Sequence, residues 1–148
     1  MHITIRKGAE HDFDAILSLI KEFAIFQKTP EKVSITLQEM VANGNLFQCF
    51  VAETGDNKIV GFASFFFAYY SWSGKAIYLD DLYVTNAYRK QGIGKMLSRQ
   101  IIELAKNSGC KKVRWQVSKW NTNAIEFYQK MNAAIDETEI NCDLLLGE

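Results

Sequence analysis

Two adjacent carboxylates, Asp80 and Asp81, interrupt a run of apolar and aromatic residues, Tyr78-Leu-Asp-Asp-Leu-Tyr-Val84. Such a run reads as a β-strand. Successive strand residues face opposite sides, so only one of the two acids reaches a given face unless a bulge intervenes. Shortly after it, Tyr88-Arg-Lys-Gln-Gly-Ile-Gly-Lys95 sets Gly92 and Gly94 in a loop that opens into an amphipathic helix. Strand, glycine loop and helix N-terminus in that order build a nest of unpaired backbone N–H groups aimed at an anion.

The spacing excludes two common phosphate loops. A dinucleotide fingerprint needs a third glycine where this chain has Leu97. A Walker A loop needs Ser or Thr where it has Met96, and an earlier glycine where it has Arg89. No Ser-His or Cys-His arrangement is visible, which favours direct attack in a ternary complex over a covalent intermediate.

The elements that must position these residues follow from periodicity. Residues 2–6 alternate as a strand, and residues 10–27 carry apolar side chains at helical spacing behind an acidic first turn. Pro30 marks a break, and a short helix over 36–42 stops at Asn43-Gly44. Strands over 46–54 and 58–70 are joined by Gly55-Asp-Asn57. The second is apolar on both sides, with Phe62, Phe66 and Tyr70 on one and Ala63, Phe65, Phe67 and Tyr69 on the other, as expected mid-sheet beneath helices on both faces. After the turn at 71–74 come a strand over 75–84 and a helix from Ile93 that Gly109 stops. A strand over 112–117 and a helix from its cap Asn121 to Met131 follow, with Asn132 placed for a left-handed stop. Short strands over 133–136 and 140–146 end the series.

With 148 residues, 48% hydrophobic content and one proline, a single packed domain over 1–148 is expected. Zero formal net charge argues against a broad nucleic-acid footprint. Cys49, Cys110 and Cys142 are odd in number and form no CxxC pair, as in a reducing compartment. His2 and His11 have no ligand cluster around them, so no metal is expected. The N-terminus lacks the apolar core of a signal peptide, and no run is long enough to span a membrane. The expectation is a cytoplasmic domain with no membrane partner.

The motif Arg89-x-x-Gly92-x-Gly94 after a strand resembles the pyrophosphate loop of the GNAT acetyltransferase superfamily, which binds acetyl-coenzyme A. The element order, β-α-α-β-β-β-α-β-α-β-β, resembles that superfamily over essentially the full length. The fold class this implies is α+β: a mixed, mostly antiparallel central sheet with helices on both faces. Three blocks, Tyr69 to Lys75, Ile77 to Val84 and Trp120 to Tyr128, are similar to the spermidine/spermine acetyltransferase branch, which includes a relative acting on thialysine.

The resemblance implies site residues one by one. Tyr128 matches the tyrosine that protonates the departing coenzyme sulfur. Asp80 matches the substrate-contacting acid, as base, anchor or start of a water relay, since it is a methylene shorter than the branch's Glu. Asp81 is expected in a structural role. A bulge typical of the superfamily would expose the backbone of Leu82, Tyr83 and Val84 to the pantetheine arm. The coenzyme phosphates would meet Arg89, Lys90, Gln91, Gly92, Ile93, Gly94 and Lys95, with Asn121 a further contact. Phe26, Gln27 and Trp72 would border the acceptor. Phe26-Gln27 stands where the polyamine enzymes carry Tyr-Glu, which removes a carboxylate for a second ammonium. The tail also lacks the branch's longer acidic and aromatic ending. The implied activity is acetyl transfer from acetyl-coenzyme A, with no metal, to a primary amine: a diamine, a polyamine or a lysine-like amino acid. A protein N-terminal or lysine acetyltransferase and a non-catalytic coenzyme-binding sensor are the alternatives. The family also implies a homodimer.

Overall fold

The computed structural model describes residues 2–147, which divide into two compact units, Met1–Trp115 and Gln116–Glu148. The first unit holds a five-stranded sheet in the order β1 (Ile3–Lys7), β2 (Gln48–Thr54), β3 (Ile59–Tyr70), β4 (Gly74–Val84) and β5 (Lys112–Arg114). Neighbours from β1 to β4 pair antiparallel. β5 lies parallel to β4, which demands a long crossover, and the helix α3 (Ile93–Asn107) supplies it. The helices α1 (Phe13–Phe26) and α2 (Leu37–Ala42) fall between β1 and β2.

Two cores result, one on each face. Phe13, Ile16, Leu17 and Leu19 of α1 pack with Val51, Phe62 and Tyr83. Ile93, Leu97, Ile101 and Ala105 of α3 pack with Ala52, Ala63, Phe65, Ile77 and Leu79. Full burial of a side chain such as Leu97 contributes about 1.5–3 kcal/mol, so α3 is firmly seated and its N-terminus is fixed in space. Residues 10–12, expected in the first helix, form a separate 3-10 turn, because buried Asp12 turns back to Arg6 at 2.8 Å and to the Ala9 N–H.

The long apolar strand is central, as its composition requires. Its cover is incomplete, however: Phe66 is 46% exposed, Phe67 39% and Tyr69 82%. β3 and β4 are longer than the helices across them, so the outer half of the hairpin loses its cover.

The second unit contains α4 (Thr122–Lys130), whose first turn is capped by Asn121 accepting the Ala124 N–H at 3.2 Å. Asn132, at φ 66°, takes the left-handed stop. The expected strands over 133–136 and 140–146 are absent, and residues beyond Arg114 also leave the sheet. A strand exists only against a partner edge, and among the described residues neither late segment has one. Ile140, Leu144, Leu145 and Leu146 are all more than four-fifths exposed. Among the described residues no helix is long and apolar enough to cross a membrane, and no cluster of metal-ligating side chains occurs.

Candidate active site

β4 passes through Thr85 and a 3-10 turn at Asn86–Tyr88 into the glycine loop. Gly92 is the N-cap of α3 at φ 81°, a left-handed conformation that side chains resist. No side chain caps this helix, and its first turn carries Lys95 and no acid. The first turns of α1 and α2 carry Asp14 and Glu39 instead, as the helix dipole favours. An uncapped N-terminus flanked by a cation has the electrostatics of an anion site. Lys90, Gln91 and Gly92 are exposed there, whereas Ile93 is buried and holds the turn to the core. A Cβ added at Gly94 would meet nothing within 4 Å.

The acidic pair is shaped by a bulge. Ser64 of β3 pairs with Asp81 and Phe65 with Leu79, which leaves Asp80 as the extra residue. Leu79 and Leu82 consequently share the α3 face although they are three residues apart. Asp80, next to Leu79, and Asp81, two before Tyr83 of the α1-side core, are both turned to the α1 face. The Asp81 N–H donates to Ser64 Oγ at 3.2 Å, which pins the bulge. Neither carboxylate has a hydrogen-bond donor or cation among the described residues. Burial, and then the charge of Asp80, push the Asp81 carboxyl up to about 6. Burial raises Asp80 as well, although its side chain reaches solvent. Two carboxylates on one face with no counter-ion among the described residues have electrostatics that favour a cation.

Asp81 therefore bears on stability. Its folded pKa lies above the unfolded value of 3.8, so its penalty is absent below about pH 4 and complete above about pH 6. Asp81→Asn should match the unaltered protein in urea denaturation at pH 4. At pH 7 it should be about 1–2 kcal/mol more stable, allowing for solvent screening. Identical pH dependence in the two proteins would contradict the placement of this carboxyl.

Arg89 does not face outward over the loop. Its Nε donates to the Val84 carbonyl at 2.9 Å, and its guanidinium lies 4.8 Å from the Phe26 ring and 5.2 Å from the Tyr83 ring. Tyr83 also stacks on Phe23 and donates its hydroxyl to Glu22, which accepts from Thr85 Oγ1 at 2.7 Å. Burial and Glu22 push the Tyr83 phenol up to about 12. Phe26 ends α1 and Gln27 caps it. Trp72 is fully exposed in the β3–β4 turn. In the second unit, Tyr128 lies half-buried on α4, and burial raises its phenol above 10.

The bulge that the family resemblance implied is present and puts Asp80 and Asp81 on one face, whereas the sequence reading missed the Glu22 cluster. Ser64, a small hydroxyl inside an apolar run, is the one local sign of the bulge. A cleft of about 850 Å³ bordered by Arg6, Asp12, Glu22, Glu53 and Lys58 holds none of the expected catalytic residues. Its Arg6 is committed to Asp12 and Glu53.

The sheet, the uncapped α3 and the glycine loop define an acyl-coenzyme A transferase fold. Residues 13–133 match the acetyltransferase (GNAT) family, and the chain belongs to that family as an acetyltransferase. It is 35% identical over 140 residues to thialysine N-epsilon-acetyltransferase of Mus musculus, covering 87% of this chain and 82% of that one. It is 33% identical over 142 residues to the spermidine/spermine N(1)-acetyltransferase-like protein 1 of Homo sapiens, covering 89% of this chain but 20% of that protein. Among solved structures, an aminoglycoside acetyltransferase from an uncultured soil metagenomic sample superposes with a TM-score of 0.76 at 27% identity. That match covers 98% of this chain and 97% of the other.

Proposed function

We propose that this protein transfers acetyl from acetyl-coenzyme A to the primary amine of a small molecule, with a lysine-like amino acid as the favoured class. The observation that carries the reading is the Asp80–Asp81 pair, two carboxylates on one face with no cation to balance them among the described residues. An alkyl ammonium has an unperturbed pKa of about 10.4, so it arrives charged and must lose a proton before it can attack. The pair binds the ammonium and takes that proton, with Asp80 as the anchor, directly or through water. The released lone pair attacks the acetyl carbonyl, and as the tetrahedral adduct collapses its nitrogen loses a second proton to solvent and the C–S bond breaks. Tyr128 gives its phenolic proton to the departing sulfur, and solvent restores it.

The coenzyme lies along Leu82, Tyr83 and Val84, with its phosphates at the N–H groups from Lys90 to Lys95 and a further contact at Asn121. The thialysine-acetylating relatives support the acceptor class. Gln27 supports it too, since it offers a dipole and no charge to a second ammonium. The family match, running over 13–133, supports reading residues 1–148 as one catalytic domain. Three free cysteines fit a reducing cytoplasm. The exposed apolar residues 144–146 fit burial in a homodimer, for which light scattering is the direct measurement.

A thiol-release assay across diamines, polyamines, amino acids and peptides tests the acceptor. Thialysine or lysine is expected to exceed spermine in kcat/KM, with Gln27→Glu improving polyamine use and Asp80→Asn depressing every amine. Spermine leading the panel for the unaltered protein would restore the polyamine assignment. Peptides leading it would move the protein to the protein-modifying class.

A further inference from the structure

The glycine loop and the C-terminal end of α1 are far apart in the chain, and the Arg89 side chain joins them. Arg89, the first residue of the loop motif, directs its Nε–H and one face of its guanidinium to the protein. Its Nε is held by the Val84 carbonyl at 2.9 Å, and its guanidinium rests 4.8 Å from Phe26 and 5.2 Å from Tyr83. Phe26 is the last residue of α1, immediately before Gln27 at the proposed acceptor wall. Tyr83 is fixed in turn by Phe23 and Glu22 of the same helix.

We propose that Arg89 is a positioning residue that couples the two substrate sites, so that coenzyme in the loop orders the acceptor end of α1. The inference rests on the proposed coenzyme and acceptor sites. Its physical basis is the planarity of the guanidinium. One flat cation offers a face to Phe26 while its edge donates to the β4 backbone, a combination that an ammonium cannot reproduce. When coenzyme immobilises residues 90–95, Arg89 is immobilised with them, and Phe26 loses freedom. Coupling between ligands is reciprocal, so ordering Phe26 must also tighten the loop around coenzyme.

The test is calorimetry with coenzyme A alone, on the unaltered protein and on Phe26→Ala, Arg89→Lys and the double variant. Phe26 is 41% exposed, outside both cores, so its truncation leaves the fold intact, and thermal melts check each variant. Phe26→Ala is expected to raise the coenzyme A dissociation constant about 3–10-fold, a coupling of ordinary size. Arg89→Lys, which keeps the charge, should do the same. The double variant should be no weaker than Arg89→Lys alone. At saturating acetyl-coenzyme A, Arg89→Lys should also raise the KM for the amine, because the Phe26 end of α1 is no longer held. An unchanged affinity in Phe26→Ala, multiplicative effects in the double variant, or unaltered behaviour of Arg89→Lys would each overturn the coupling. Failure of the unaltered protein to bind coenzyme A would instead overturn the coenzyme site, and this inference with it.

Discussion

Tyr128→Phe is expected to lower kcat about 10²–10⁴-fold, the usual contribution of a general acid, while coenzyme A affinity stays within about twofold. The substitution deletes one hydroxyl and keeps the ring, which meets Phe127 edge-on at 5.5 Å on the same helix. Burial raises the phenol above its ordinary value of 10, so it is protonated throughout the neutral range. A group in that state can donate a proton and cannot serve as the base, in keeping with the proposed role of the β4 carboxylates as proton acceptors. The loss should therefore fall on turnover. Steady-state kinetics with the best amine, beside calorimetry with coenzyme A, separates the two effects. Near-normal turnover in a folded variant would return Tyr128 to a packing role.

Gly94→Val should raise the acetyl-coenzyme A dissociation constant well over tenfold and leave the melting temperature almost unchanged. The two loop glycines differ physically. Gly92 sits at φ 81°, where a side chain is strained with or without ligand, so its replacement confuses folding with binding. Gly94 is in the first turn of α3 at an ordinary φ, and a Cβ there meets nothing within 4 Å in the protein. The protein leaves room for a Cβ at Gly94, so a large penalty points to what approaches from outside, and the uncapped N–H groups beside it favour an anion. Calorimetry decides the matter, since unchanged affinity in a folded variant would remove the coenzyme from this loop.

Both predictions rest on residues that the sequence made visible through local chemistry. The apolar stripe from Ile93 to Ala105 defines α3. Glycines at 92 and 94 mark its entry, and Asn121 and Asn132 bracket α4, because caps and stops depend on only a few neighbouring residues. The placement of β3 at the centre of the sheet also followed from its own residues, since Val60, Phe62, Ala63 and Phe65 put apolar side chains on both sides and are all buried.

What remained hidden depends on partners distant in the chain. The orientation of Asp80 and Asp81 is set by the register of β4 against β3, where Ser64 holds the Asp81 N–H. Alternation within the strand predicts opposite faces, and the bulge that cancels it belongs to the pairing of two strands. Arg89 reads as a phosphate ligand from its place beside two glycines, but its surroundings are Phe26 and Tyr83, brought there by the packing of α1 on β4. The segments 133–136 and 140–146 have strand-like composition but pair with no strand among the described residues. The outer half of β3 is apolar yet uncovered, because the lengths of α1 and α3 decide where cover ends. Sequence determined which residues favour helix, strand, turn and cap, since those preferences are local. Tertiary structure decided which side chains share a face and which charges stand unbalanced, since register and burial are properties of pairs of elements.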